Sequence, residues 1–409
     1  MHVLFLAPET QAYYREFVRG LREVGARVTG LGHSPRETLA ANLKPCLDGY
    51  VPVRNLFDDR ETVEAARRIA RSVPIDRVET TDETLVVAAA RLRAALGLPG
   101  LTVEAAVLCR DKAAMKDHLR ARGIACAQSI AARSGDEIRA FAEREGYPVI
   151  IKPRAGFGSL HTHRVESAGE LERLVPTLSL GPDRAVAVEE FVEGHEGVFD
   201  TIWLDDDAGH DFVGHYYPGC LEATQDRRVA PQIVVTNRLD GETYRELRRV
   251  GREVNRALGI TRGATHMEWF FGPKGLKFSE IGARPAGERI WDLYRVANDL
   301  DVYREWASAV VHGRTERPAS RRYSTGAIQI RPDRDGRYLR HEGLDEIRRF
   351  CGPAIYEARI PAAGTPTQPV EKGWIVNTWF RLRHEDYDRL REMLDFIGRT
   401  VKVVAQPIR

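Results

Sequence analysis

The sequence predicts an α/β protein that opens on a parallel sheet and passes into mixed α+β structure. Three features carry that expectation. Short apolar β-type runs alternate with helical stretches over residues 2–96, the pattern of a parallel sheet wrapped on both faces. Two further strand-like runs, 267–271 and 276–281, meet at Pro273-Lys274-Gly275, which reads as a hairpin loop. From about residue 314, strand and helix candidates mix without the earlier alternation. A chain of 409 residues exceeds one ordinary core, so about two to four domains or subdomains are expected.

In chain order, residues 2–6 form the first strand and 11–24 a helix that stops at Gly25. Strands follow at 27–31, 49–53 and 78–80, with helices at 61–71 and 83–96, and the unit closes at Leu98-Pro99-Gly100. No Gly-x-Gly-x-x-Gly follows the first strand, and Gly30-Leu31-Gly32 reads as a turn, so a dinucleotide site there has weak support. Thr102 caps a short helix with Glu104 in its first turn. A second helix, 111–122, carries Lys112 in its first turn, where a cation opposes the helix dipole. A solvated lysine is the plain reading at that position.

Strand 127–132 and helix 134–145 lead to residues 147–159, YPVIIKPRAGFGS. Val149, Ile150 and Ile151 make a short buried strand, and Pro153 biases Lys152 toward extended backbone. Gly156 and Gly158 flank Phe157 and lead into Ser159; glycines of this kind can turn backbone N–H groups toward a phosphate. A P-loop is excluded, because no Gly-Lys-Ser or Gly-Lys-Thr follows. Strand 185–191 turns acidic at Glu189 and Glu190, residues 192–197 form a polar, glycine-broken connection, and a strand resumes at 198–204. Asp205 to Asp207 make a solvated turn, since the ligand spacing of a calcium loop is missing.

With 273–275 as a three-residue loop, Glu268 lies opposite Glu280, on the face shared by Phe270 and Phe278. Like charges so placed repel, and a divalent cation would reverse the sign of the arrangement. A register slip, or acids that both reach solvent, is the competing reading. Arg284 follows closely, able to hold a phosphoryl or carboxylate oxygen. His266 shares the strand face of Glu268 and could line a pocket; a packed or solvent-facing histidine is the alternative. Residues 288–313 read as one helix; beyond it, strands are expected at 327–330, 354–360 and 374–382, and helices at 344–350 and 385–396.

The net charge of +2 gives no electrostatic call for nucleic acid or a membrane, and no apolar run is long enough to span one. The start of the chain lacks the cationic segment of a signal peptide. Five scattered cysteines read as reduced thiols of a cytoplasmic protein.

Lys112, then Lys152 with its glycine loop, an acidic strand end, and paired acids followed by an arginine resemble, in that order, the ATP-grasp superfamily over roughly residues 1–312. The resemblance implies an N-terminal Rossmann-like (pre-ATP-grasp) parallel-sheet domain at 1–103 and an ATP-grasp domain at 104–312. The latter divides into a small lid subdomain at about 125–190 and a larger one at about 191–312, with a C-terminal α+β domain at 313–409. It implies ATP, with magnesium or alternatively manganese. Lys112 and Lys152 match the phosphate-binding lysines, and Gly156, Gly158 and Ser159 the phosphate-covering loop. Glu189, Glu190 and Val192 match the hinge that reads adenine, and Glu196 the acid on the ribose hydroxyls. Glu268 and Glu280 match the magnesium ligands. Arg284 matches the arginine near the reacting phosphoryl group; it and Lys152 are the catalytic candidates, and Arg284, Arg289 and His266 the acceptor-side ones.

Two departures stand out: Gly282 where many members carry asparagine, and Gly287-Glu288 in place of a double glycine, which bears on the acceptor site. The phrase from Glu280 to Arg284 is similar to that of amino-acid ligases. The implied function is an ATP-dependent carboxylate–amine ligase working through an acyl phosphate on small-molecule substrates, as a cytoplasmic homodimer. An ATP-grasp carboxylase or formyl/purine-pathway ligase using bicarbonate or formate is the alternative, and a nucleotide-binding regulatory protein the third. In-line phosphoryl transfer to a carboxylate needs positioning and charge neutralisation more than a protein nucleophile, which suits this residue set.

Overall fold

The computed structural model describes residues 1–156, 161–369 and 378–407. The first elements are β1 (His2–Leu6), α1 (Tyr14–Glu23), β2 (Arg27–Gly32), β3 (Gly49–Pro52), α2 (Asp59–Ser72), β4 (Arg77–Glu79) and α3 (Val86–Leu96). Their strands pair in parallel in the order β3-β2-β1-β4, as the alternation of strand and helix requires. β1 is wholly buried, so its five residues are apolar or, at His2, satisfied by Thr29 and Pro74. Phe17 of α1 packs edge-on against Tyr303 and Trp306 and at a tilt against Trp291, which fastens this sheet to helices from much later in the chain. Gly20 permits that approach: a Cβ there would lie 2.6 Å from the Tyr303 carbonyl oxygen.

Helices α4 (Val103–Leu108) and α5 (Lys112–Arg120) are capped by the side chains of Thr102 and Asp111. Next come β5 (Ser129–Ala132), α6 (Gly135–Glu145), β6 (Val149–Pro153), β7 (His163–Val165), α7 (Ala168–Leu174) and β8 (Val186–Glu190). They form a small antiparallel sheet, β5-β8-β6-β7, whose core includes Ile138, Phe141, Val149, Ile151 and Val188. The central sheet is antiparallel too. It begins with β9 (His195–Leu204), β10 (Asp207–Tyr217), α8 (Cys220–Gln225), β11 (Gln232–Val235), α9 (Arg245–Ala257), β12 (Gly263–Gly272) and β13 (Gly275–Gly282). Helices α10 (Ile290–Asn298) and α11 (Val302–His312) lead to β14 (Ser324–Ile330), β15 (Arg337–Glu342) and α12 (Leu344–Cys351). β16 (Ile355–Arg359), β17 (Thr378–His384), α13 (Tyr387–Thr400) and β18 (Lys402–Gln406) complete the described elements. Strand order is β13-β12-β9-β10-β11-β14-β17-β16, so strands from the last hundred residues continue the sheet that carries the site; β15 and β18 pair separately. Among the described residues no helix is long and apolar enough to cross a membrane, and all five cysteines are free.

Three expectations need correction. The strand expected from 198 starts at His195, because His195, Glu196 and Gly197 pair with Phe271, Phe270 and Trp269 of β12. Gly197 reads as a breaker but belongs in the strand, since a Cβ would stand 2.4 Å from the Trp269 ring. The hairpin loop has two residues, not three: Gly272 pairs with Gly275, and a bulge at Ser279 restores Glu268 opposite Glu280. The bulge also puts Phe278 opposite Trp269 instead of Phe270. The single helix expected over 288–313 is two. Asp299 adopts left-handed backbone (φ 48°), and the Asp301 side chain caps a new helix by accepting from the Arg304 N–H.

Across the central sheet from Glu196, His195 Nε2 and His215 Nδ1 lie 2.9 Å apart, and His215 Nε2 is 2.9 Å from the Tyr244 hydroxyl. Burial, then the charges of His195 and Arg391, pushes His215 down to about 3. An unfolded histidine titrates near 6.5. Between those values the unfolded chain therefore binds more protons, and stability falls as pH drops through that window. Thermal unfolding of His215→Gln should show roughly one proton less taken up between pH 6 and 4 than the parent, a flatter pH dependence that calorimetry would measure.

Candidate active site

The lysines and acids are delivered by elements whose own sequence fixes their aim. Lys152 sits near the end of β6, beside β8, and its Nζ is 3.0 Å from Glu189 Oε2 and 3.7 Å from Glu280 Oε2. Lys112, in the first turn of α5, places Nζ 3.1 Å from Glu280 Oε2 and donates to the Gly156 carbonyl at 2.7 Å. Its poor position for the helix dipole is thus offset by a direct carboxylate partner. One turn on, on the same helix face, Lys116 is fully buried and donates to Glu189 Oε1 at 2.5 Å. Burial pulls Lys116 down to about 8 against the raising charge of Glu189. Sequence reading missed this residue; its spacing of four from Lys112 was the available signal.

Glu268 and Glu280 face one another across the hairpin, as expected. Their environments differ. Burial would raise Glu280, but the charges of Lys112, Lys152 and Lys116 outweigh it and hold the carboxyl at about 2. Burial and the adjacent Glu280 charge push Glu268 upward. His266 Nε2 stands 3.8 Å from Glu268 Oε1, while its Nδ1 is 2.8 Å from Asp200 Oδ1, whose other oxygen accepts from Tyr294 at 2.8 Å. Asp200 more than offsets burial and raises the His266 pKa. The Asp200 contact comes from strand pairing, His266 opposite Asp200, and nothing in the spacing announces it.

Lys112, Lys116, Lys152, Glu268, Glu280 and Arg284 line one cleft of about 540 Å³, and Gly156, Glu189, Glu190, Val192, Glu196 and His266 line it with them. Gly158 and Ser159 lie outside the described residues. Glu190 accepts from Lys274 at 2.6 Å and from the Gln128 N–H at 3.1 Å. Glu196 accepts from the Cys220 N–H at 2.6 Å; burial and the Glu268 charge push it up to about 7. Arg289 is not on the cleft wall and pairs with Asp292 at 2.6 Å.

Arg284 is held from outside the sheet. Its Nε donates to Glu83 Oε2 at 2.5 Å, and Glu83 also pairs with Arg110. Arg110 in turn donates to the Ala155 carbonyl at 3.2 Å, on the stem of the glycine loop. A Cβ on Gly282 would stand 2.8 Å from Glu83 Oε2, so the departure at 282 makes room for this acid.

As a metal donor set, Glu268 and Glu280 offer two opposed carboxylates. Among the described residues no three His, Cys, Asp or Glu side chains form a closed cage. Two carboxylates that leave positions for water and phosphate oxygens suit magnesium in a nucleotide site.

Residues 20–100 match the ATP-grasp N-terminal domain, and 111–288 the ATP binding domain of the carbamoyl-phosphate synthase L chain. The chain is 27% identical over 247 residues to the L-arginine-specific L-amino acid ligase of Bacillus subtilis, covering 57% of this chain and 59% of that one. It is 26% identical over 236 residues to alanine–anticapsin ligase of Bacillus subtilis (strain 168), covering 51% and 48%. Less than two thirds of either relative's length is therefore matched. The fold superposes on L-amino acid ligase from Bacillus licheniformis with a TM-score of 0.76 at 18% identity, over 99% of this chain and 98% of the other.

Glu83→Ala should lower the unfolding free energy by about 3 kcal/mol in a urea titration, because two arginines lose their buried counter-charge. Gly282→Ala should cost the parent more stability than it costs the Glu83→Ala chain; equal costs would show that the two positions do not press on each other.

Proposed function

We propose that this chain, which carries ATP-grasp domains, is an ATP-dependent carboxylate–amine ligase. It would join a small-molecule carboxylate to an amine through an acyl phosphate, releasing ADP and phosphate. The observation that carries this reading is the convergence of Lys112 and Lys152 on Glu280, directly opposite Glu268, in a cleft that also holds Arg284. The two ligase relatives, one specific for L-arginine and one joining alanine to anticapsin, support it.

The cleft residues have distinct roles in this account. Lys112 and Lys152 exchange a carboxylate partner for nucleotide phosphate oxygens, and Lys116 keeps Glu189 neutralised when Lys152 turns away. Gly156 lines the cleft, and Gly158 and Ser159, which follow it in sequence, are assigned with it to the phosphate-covering loop on the family likeness. Glu189, Glu190 and Val192 form the adenine hinge, and Glu196 holds the ribose. Glu268 and Glu280 would hold magnesium, or manganese, whose charge when bound neutralises the transferring phosphate. Arg284, kept charged and aimed by Glu83, stabilises the anion that forms on the carboxylate. His266 completes the acceptor side of the proposal; Arg289, off the cleft wall and paired with Asp292, has no direct part in it. Homodimerisation and a cytoplasmic setting belong to the same reading and rest on the family likeness.

Phosphate release with amino-acid pairs, set against bicarbonate and formate, tests the reaction class; turnover with bicarbonate or formate alone would favour the carboxylase or formyl reading. Lys152→Ala and Glu280→Ala should each cut turnover by about 10²–10³ while circular dichroism stays native-like. Near-normal activity in either would reject the assignment.

A further inference from the structure

At residue 288 the chain keeps glutamate where the backbone suits glycine. Its φ is +53°, and Arg289 follows at +60°. Left-handed backbone at residues other than glycine is costly, and such strain concentrates at functional sites. Glu288 lies between β13 and α10, on the wall of the cleft that holds Arg284 and His266. The residue is exposed, and partial desolvation by the protein around it raises its carboxyl. Arg284 and Glu288 stand four residues apart in the chain and line the same cleft.

Among the described residues no cation lies against this carboxylate. Arg289 next to it pairs with Asp292, and Arg284 is taken by Glu83. The other acids differ. Glu189 and Glu280 have lysines, Glu190 has Lys274 and Glu196 has a backbone N–H, while Glu268, without a lysine, lies in regular strand opposite Glu280 with His266 3.8 Å away. Glu222 also stands on the wall, but it sits in the ordinary backbone of α8. Among the described acids of the cleft, Glu288 is the one that combines a charge without a cationic partner, a cleft position and a left-handed backbone.

We propose that Glu288 is a specificity-determining residue that receives a cationic nitrogen of a substrate at the Arg284 end of the cleft. The nitrogen is either the reacting ammonium or a second basic group, and Arg284 faces the anionic part of the same assembly. The assignment rests on the ligase reading.

The test is ATP-dependent phosphate release by the full chain, with L-alanine, L-lysine and L-glutamate each supplied as amine. Glu288→Gln should raise the amine KM about ten- to a hundredfold, the loss of one charge-assisted contact, with the ATP KM little changed. A rise for all amines identifies the reacting ammonium; a rise for lysine alone identifies a second basic group. Glu288→Lys should shift preference toward glutamate. Glu288→Gly separates binding from folding: it should raise the thermal midpoint by relieving the backbone, and still weaken amine use. An active parent beside an indifferent Glu288→Gln overturns this assignment and leaves the ligase reading intact. A parent that releases no phosphate with any pair overturns the ligase reading and this assignment together.

Discussion

Three ammonium groups and three carboxylates share the floor of the cleft: Lys112, Lys116 and Lys152 against Glu189, Glu268 and Glu280. Ionised groups in a protein interior cost several kcal/mol each unless paired and hydrogen-bonded, and this set is arranged so that no lysine stands alone. Glu189 takes both Lys116 and Lys152; Glu280 takes Lys112 and reaches Lys152. The partners come from α5, β6, β8 and β13, so the small sheet, the central sheet and the helix joining them meet at these charges. Glu268 is the member without a lysine, and it is the acid driven toward its protonated form.

The balance of charge also explains what such a cleft asks of its ligand. The lysines already serve Glu189 and Glu280, so on the proposed reading a nucleotide triphosphate would bring in negative charge that they could meet only by leaving those glutamates. On the proposed reading Glu268 and Glu280 would hold a divalent cation, whose charge would leave Lys112 and Lys152 free for the phosphates. Lys116 does not need to move. Fully buried and donating to Glu189, it would hold that acid through such an exchange.

Outside the floor, the site depends on residues distant in sequence. Glu83 belongs to the N-terminal region, yet it fixes Arg284 and, through Arg110, the backbone just before the glycine loop. The parallel sheet is therefore part of the site's support as well as a neighbour of it. Phe17 does the same for α10 and α11, whose aromatic residues enclose it. Glu288, on the wall of the same cleft as Arg284, has no cationic partner among the described residues, in contrast to the paired acids of the floor.

The local grammar of the chain determined its elements: alternating apolar runs set the parallel sheet, Thr102, Asp111, Ser134 and Ser167 set helix starts, and Gly25 and Gly97 set helix stops. Lys112, Lys152, Glu268, Glu280 and Arg284 were legible as well, because their order and spacing lie along the chain. Strand and helix boundaries that depend on partners were not. His195 joins a strand only because β12 accepts it, and Ser279 bulges only because a two-residue turn must still bring Glu268 opposite Glu280. Long-range partners were invisible for the same reason. Glu83 and Arg284 are 201 residues apart, and Asp200 and His266 are 66 apart, so only packing decides that they touch. Sequence determines which groups carry charge and which segments can be regular; tertiary structure decides which charges are paired, because pairing depends on distance in space.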